Sequence, residues 1–216
     1  MAGAAGVTHV KICGLTNFDD ARHAARAGAD LLGFVFAQSP RQVTVETVRA
    51  IVRDLRREGL AHESAVGVFV DLPAGEVIAA CLESGLTIAQ LHGSETPDDC
   101  RLVAQAGLSV IKSFRVRDHV RLEDIARYDA IDFVHFDTYD PQQAGGTGRA
   151  FDHSLVAGLS ERFRLILAGG LTPKNVAEAV ARVRPWGVDV SSGVEAAPGR
   201  KDPALVEEFI RQSGAG

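Results

Sequence analysis

Four segments of the chain repeat one arrangement, in which two polar side chains flank a single apolar residue: Lys11-Ile12-Cys13, Gln90-Leu91-His92, His135-Phe136-Asp137 and Asp189-Val190-Ser191. Each closes a short apolar or β-branched run, so strand alternation puts the two polar residues on one face and the apolar residue on the other. A thiol, two imidazoles and two carboxylates brought together could carry protons to and from a bound molecule as general acids and bases. His92, His135, Asp137 and Asp189 are also residue types that hold a divalent ion. Any one of these residues alone reads equally well as a hydrogen-bonded interior side chain. As a set they are costly to bury unless bonded or used, which favours use.

A second chemistry is written in glycine. Ala168-Gly169-Gly170-Leu171-Thr172-Pro173 and Asp189-Val190-Ser191-Ser192-Gly193 each follow an apolar run with a turn in which backbone N–H groups can approach an anion closely. A third cluster, Gly145-Gly146-Thr147-Gly148, belongs to a long loop after Asp137 that could order over a substrate.

Eight runs have the composition of strands: Thr8 to Cys13, Asp30 to Phe36, Ala65 to Val70, Thr87 to Leu91, Ser109 to Val116, Ile131 to Asp137, Arg164 to Ala168 and Gly187 to Val190. Helical patterns alternate with them, as in Val48, Ile51, Val52 and Leu55, or Val176, Ala179, Val180 and Val183. Thr96-Pro97, Thr172-Pro173 and Asp202-Pro203 pair an N-cap oxygen with a proline suited to the first helical position. Asn17 opens the first helix, with Asp19 and Asp20 in its first turn. A helix between the sixth and seventh strands is expected near Asp152 to Leu159. Strict β-α alternation predicts a parallel sheet covered by helices, and eight units close into a single-domain (βα)8 barrel spanning residues 7–216, after a flexible extension over 1–6. A doubly wound sheet is the alternative, but no G-x-G-x-x-G follows the first strand. In the barrel the polar parity must face inward, with Lys11 and Cys13, Gln90 and His92, His135 and Asp137, and Asp189 and Ser191 converging at one mouth. The glycine turns then fall after strands seven and eight, a recurrent barrel phosphate site.

The 216 residues are 46% hydrophobic and 24% charged, enough to bury roughly 70% of the unfolded surface. A formal charge of -5 without a long basic run argues against nucleic acid as partner. No apolar stretch reaches membrane-spanning length and Met1 to Gly6 lacks signal-peptide features, so a cytoplasmic protein without a membrane partner is expected. Of three cysteines, none in a C-x-x-C pair, Cys81 and Cys100 lie in apolar periodic segments and read as buried thiols, whereas Cys13 stands at the mouth.

Taken in order, the motifs resemble the phosphoribosylanthranilate isomerase family over nearly the whole chain. They are Val10-Lys11-Ile12-Cys13-Gly14-Leu15-Thr16, Gly33-Phe34-Val35-Phe36 with Ser39-Pro40-Arg41, Gln90-Leu91-His92-Gly93, Phe136-Asp137-Thr138, Gly145-Gly146-Thr147-Gly148, Ala168-Gly169-Gly170-Leu171 and Val188-Asp189-Val190-Ser191-Ser192-Gly193-Val194-Glu195. The resemblance implies an Amadori rearrangement of N-(5-phospho-β-D-ribosyl)anthranilate to 1-(2-carboxyphenylamino)-1-deoxyribulose 5-phosphate, in tryptophan biosynthesis. It implies Cys13 as general base, Asp137 as general acid, Arg41 as a contact to the anthranilate moiety, and the turns at Gly169-Gly170 and Ser192-Gly193 as the phosphate site, with no cofactor or metal. Gln90, His92, Asp189 and Ser191, inward at the same mouth, are taken as further substrate-binding residues. One departure is His153, where the family often has tryptophan. Related isomerases of histidine biosynthesis carry aspartate at the first-strand position, so Cys13 argues against dual specificity.

The expected partner is a phosphorylated small molecule, and the chain a monomer or homodimer. The rival functions are a metal-dependent sugar-phosphate epimerase and a non-catalytic phosphate-binding barrel. A free thiol titrates near pH ~8.5 and a free aspartate near ~3.9, the reverse of what a base and an acid require. Lys11 and the positive phosphate end are expected to favour the Cys13 thiolate, and desolvation under the loop to raise Asp137.

Overall fold

The computed structural model describes residues 8–60, 65–115, 122–137 and 159–214. The expected extension over 1–6, the Gly145–Gly148 cluster, His153 and the helix near Asp152 lie outside these residues.

Eight parallel strands close on themselves in chain order: β1 (His9–Ile12), β2 (Leu31–Val35), β3 (Ala65–Phe69), β4 (Ile88–Leu91), β5 (Ser109–Arg115), β6 (Phe133–Asp137), β7 (Leu165–Ala168) and β8 (Gly187–Val190). All eight fall where the sequence predicts them. The seam that closes the barrel pairs β1 with β8, setting Lys11 opposite Asp189. The outward faces carry Val10, Ile12, Phe34, Leu91, Phe136 and Val188 into one core shared with the helices. Inside, Leu31, Val66, Ile88, Ile111 and Ile166 form a separate apolar plug at the amino ends of the strands. The polar set occupies the inner positions further along the same strands. An apolar floor therefore lies beneath every polar side chain at the mouth.

The helices are α1 (Phe18–Arg26), α2 (Val45–Arg57), α3 (Ala74–Ser84), α4 (Pro97–Gln105), α5 (Leu122–Ala126), α6 (Val176–Val183) and α7 (Pro203–Gln212). Asn17 caps α1 through its side chain, Thr96 and Asp99 form a reciprocal capping box on α4, and Asp202 accepts from Ala204 and Leu205 at the start of α7. The expected start at Thr172-Pro173 is corrected: α6 begins at Val176, with Asn175 as its cap. Thr172 Oγ1 instead accepts from the Lys174 N–H, while the Asn175 side chain folds back onto Thr172 N–H and Gly170 O. That local turn uses the oxygen a cap would need. Cys81 and Cys100 are buried, which pushes their thiols up to about 12 and about 11.

After β8 the chain makes a three-residue 3-10 turn (Ser192–Val194) and then an antiparallel pair, β9 (Glu195–Ala197) with β10 (Arg200–Lys201), that the sequence reading did not contain. Thr16 Oγ1 donates to Gly199 O at 2.6 Å and Asp20 Oδ2 accepts from Lys201 N at 2.8 Å, so the start of α1 pins this hairpin beside the mouth.

One buried ion pair shapes the loop that follows β4. Lys112, facing the helices, donates to Glu95 Oε2 at 2.9 Å and Gly93 O at 2.8 Å, with Leu91 O and Ser113 O at 3.2 Å. Glu95 also accepts from the Asp71 and Gly93 N–H groups. The Lys112→Met variant should lose about 3–5 kcal/mol, because Glu95 would be left buried and unpaired. In Lys112→Met/Glu95→Leu the loss should shrink only in part, since two backbone donors then lack their acceptor. Urea unfolding of the two variants measures both; equal midpoints for wild type and Lys112→Met would contradict this account.

Candidate active site

At the carboxyl ends of the strands the inner residues surround a cavity of about 580 Å³. Cys13, Arg41, Gln90, His92, Asp137, Gly169, Gly170, Asp189, Ser191, Ser192 and Gly193 all line it, so every residue expected at the site meets there. His135 joins them from β6.

On the β1 side, Cys13 is buried against Lys11, whose ammonium donates to Asp189 Oδ2 at 2.9 Å. Space for the lysine comes from Gly33, where an added Cβ would stand 2.9 Å from Cys13 Sγ and 3.1 Å from Lys11 Nζ. Burial opposes the charge on Lys11, but Asp189 and Cys13 outweigh it and hold the ammonium above its ordinary value. Burial also opposes ionisation of Asp189, and there Lys11 and His135 outweigh it, holding the carboxyl well below the usual range. At Cys13 the balance runs the other way. Burial is the largest influence and raises the thiol above its ordinary value, although Lys11 and Lys201 pull it back. The expectation that nearby cations favour the thiolate is thus met in sign by each cation but outweighed by desolvation.

On the β6 side, Asp137 Oδ2 lies 3.3 Å from His92 Nε2. His92 Nδ1 is 3.0 Å from Gln90 Nε2, which is 3.2 Å from Ser113 Oγ. Ser113 Oγ lies 3.1 Å from His135 Nδ1, and His135 Nε2 lies 3.0 Å from Asp189 Oδ2. The four side chains that could have held a metal are therefore bonded in two pairs. Among the described residues no group of three or more His, Cys, Asp or Glu is arranged to hold an ion.

Arg41 crosses the mouth over Gly14, whose positive φ of 75° and missing Cβ leave room for its stem. Its Nε and Nη2 donate to Glu195 at 2.7 and 2.6 Å, and Glu195 also accepts from Lys201 Nζ at 3.0 Å. Burial works against the Glu195 charge, yet the two cations hold its carboxyl below the usual range. Lys201 also donates to Ser191 O. Neither Glu195 nor Lys201 is expected at the site from the sequence: a lysine two residues beyond Gly199 carries no local mark of its destination.

The glycine turns have the geometry their composition suggests. Gly169 and Gly170 have φ of 93° and 64°, a region closed to most side chains. Gly193 packs so closely on Leu171 O that a Cβ there would collide with it, holding the two turns together. The N–H groups of Gly170, Ser192 and Gly193 have no protein acceptor among the described residues. The element after β8 is only one 3-10 turn, so the anion-binding capacity rests on these N–H groups and not on a helix dipole.

A closed barrel with a thiol, imidazoles and carboxylates at the carboxyl ends of its strands defines a (βα)8-barrel enzyme of the acid–base kind. The model of the family described as N-(5'-phosphoribosyl)anthranilate (PRA) isomerase matches residues 10–212. The chain belongs to that family. It is 47% identical over 203 residues to the N-(5'-phosphoribosyl)anthranilate isomerase of Pelobacter propionicus, covering 94% of this chain and 93% of the relative. With that of Geobacter metallireducens it shares 44% identity over 97% of this chain and 100% of the relative. The crystal structure of phosphoribosyl anthranilate isomerase from Thermotoga maritima superimposes with a TM-score of 0.84 at 39% identity, covering 95% of this chain and 98% of that one. The chain is thus an isomerase of phosphoribosylanthranilate in tryptophan biosynthesis, and the epimerase and binding-barrel alternatives fall. No helix among the described residues is long and apolar enough to cross a membrane.

The Gly193→Ala variant should lose about 1–3 kcal/mol through overpacking against Leu171 O. Gly75→Ala, on α3 with nothing near its Cβ and no positive φ, should be neutral or gain about 0.4–1 kcal/mol. Thermal melts of the pair check whether the seventh and eighth turns are locked together; equal shifts would deny it.

Proposed function

We propose that Cys13 is the general base and Asp137 the general acid of the Amadori rearrangement, acting on a sugar held between them. The observation that supports this reading is their placement on β1 and β6 around one cavity, with the glycine turns on its rim. Asp137 gives its proton to the furanose ring oxygen as the C1'–O bond breaks, and the anthranilate nitrogen supplies the electron pair that makes the iminium. Cys13, as thiolate, then takes the proton from C2', and the electron pair left behind neutralises the iminium as an enolamine, which tautomerises to the ketone. The phosphate sits on the N–H groups at Gly169-Gly170 and Ser192-Gly193. Ser191, beside that turn, and Gln90, His92 and Asp189, around the floor, meet the rest of the substrate. Gln90 Oε1 and Asp189 Oδ1, buried with no partner among the described residues, are acceptors suited to sugar hydroxyls.

Arg41 meets the anthranilate carboxylate. Its Nε and Nη2 hold Glu195, so the carboxylate approaches from the Nη1 side and does not find the whole fork vacant. No cofactor or metal enters these steps. We further infer a cytoplasmic protein, monomer or homodimer; a Thermotoga maritima relative is described as dimeric, and sedimentation of the purified chain decides between the two states.

The Cys13→Ala and Asp137→Asn variants should each lose about two to four decades of turnover with KM little changed. Full activity in both would reject the mechanism. Because the base must be deprotonated and burial raises its thiol, kcat/KM should climb with pH along a limb lying above the ordinary thiol value of ~8.5. Lys201→Met removes one influence that lowers the thiol and should move that limb further alkaline; an acid shift would contradict the assignment. Arg41→Ala should raise KM more than it lowers kcat, and a pure turnover defect would overturn its role.

A further inference from the structure

Gln90 stands between the two histidines that line the cavity, 1% exposed, with no role in either proton transfer. Its amide nitrogen carries two hydrogens and no lone pair, so it can only donate. Lying 3.0 Å from His92 Nδ1 and 3.2 Å from Ser113 Oγ, it makes both of those atoms acceptors. The His92 hydrogen then sits on Nε2, which points at Asp137 Oδ2. Ser113, having accepted, donates its single hydrogen to His135 Nδ1, and the His135 hydrogen sits on Nε2, facing Asp189.

The same directions follow from the opposite end of the chain. Asp189, paired with Lys11, is ionised and only accepts, so His135 Nε2 must carry a hydrogen. Burial holds the His135 ring below its ordinary value and keeps it neutral, so Nδ1 is an acceptor. Ser113 must donate to it, and the group facing Ser113 from Gln90 must therefore be the N–H. Rotating the amide by half a turn would leave its two hydrogens buried without acceptors. The observed orientation leaves only the carbonyl oxygen Oε1 without a partner among the described residues.

We propose that Gln90 is a positioning residue for the isomerisation, its one amide nitrogen setting the tautomers of His92 and His135 together so that His92 presents N–H, and never a bare nitrogen, to Asp137. The inference rests on Asp137 being the acid. As the Asp137 O–H bond breaks and the ring oxygen takes the proton, the carboxylate left behind accepts from His92 Nε2. In the other tautomer the lone pair on Nε2 would accept the Asp137 hydrogen and draw it away from the sugar. Asp189 gains a donor from His135 by the same device, and remains fixed where it holds Lys11 against Cys13.

Long-range proton–nitrogen NMR correlation on the full chain labelled with ¹⁵N-histidine reads the tautomers directly, with His92→Gln and His135→Gln variants assigning the signals. Both rings should be neutral and carry hydrogen on Nε2. In Gln90→Glu, where a carboxylate replaces the donor, the His92 Nδ1 should become protonated, and kcat should fall about tenfold or more. A wild-type His92 with hydrogen on Nδ1 overturns the proposal, whatever the fate of the variant. So does a changed tautomer with unchanged kcat, or a lost kcat with unchanged tautomers. Asp137→Asn separates the two readings: full turnover there removes the acid and with it the function given to His92, whereas the wild-type tautomers are read without turnover.

Discussion

The structure turns on one buried ion pair. Lys11 and Asp189 are 1% and 7% exposed and stand opposite each other across the seam between the first and last strands. Either charge alone in that interior would cost several kcal/mol, and together they are tolerated only because the geometry satisfies both. Slipping β1 by one residue against β8 would turn Lys11 outward into the apolar core of Val10, Ile12, Val188 and Val190 and leave Asp189 unpaired inside. Closure of the barrel and pairing of the charges are thus one condition. The histidines, the serine and the glutamine extend the pair across the interior, and the apolar plug beneath gives no other outlet for their hydrogen bonds.

That constraint explains which parts of the molecule could be read from the residues. The eight strands were legible because a barrel strand has two different faces, and Ile12, Leu91, Phe136 and Val190 mark one while their polar neighbours mark the other. The convergence of Cys13, Gln90, His92, Asp137 and Asp189 follows from the same parity. The turns at Gly169-Gly170 and Gly193 were legible because only glycine takes those torsions or fits that approach. Lys112 was legible in principle, as a lone charge on the outward side of β5, but its partner Glu95 lies in a loop that no periodicity marks.

What stayed hidden depends on contacts far apart in the chain. The hairpin of β9 and β10 delivers Glu195 and Lys201 to the mouth only because Thr16 and Asp20 hold it there, and neither end of those bonds signals the other. Thr172 misled for a local reason: a threonine before a proline can cap a helix or close a turn onto its own backbone, and Asn175 decides for the turn.

The hidden residues also change the electrostatics around Cys13. Around Cys13 stand three cations, Lys11, Lys201 and Arg41, and two carboxylates, Asp189 and Glu195. With a neutral thiol the cluster carries one uncompensated positive charge, and a thiolate cancels it. Burial nonetheless wins at Cys13, because two of the cations share Glu195 and the third is held by Asp189, so each arrives partly neutralised. The surplus remains available to an incoming anion. On the roles proposed for Arg41 and Cys13, a bound carboxylate and the thiolate draw on the same charge, so substrate binding and activation of the base compete for it. The arrangement answers by geometry: Glu195 keeps Arg41 turned toward the mouth, while Lys11, fixed by Asp189 and given room by Gly33, stays with the thiol.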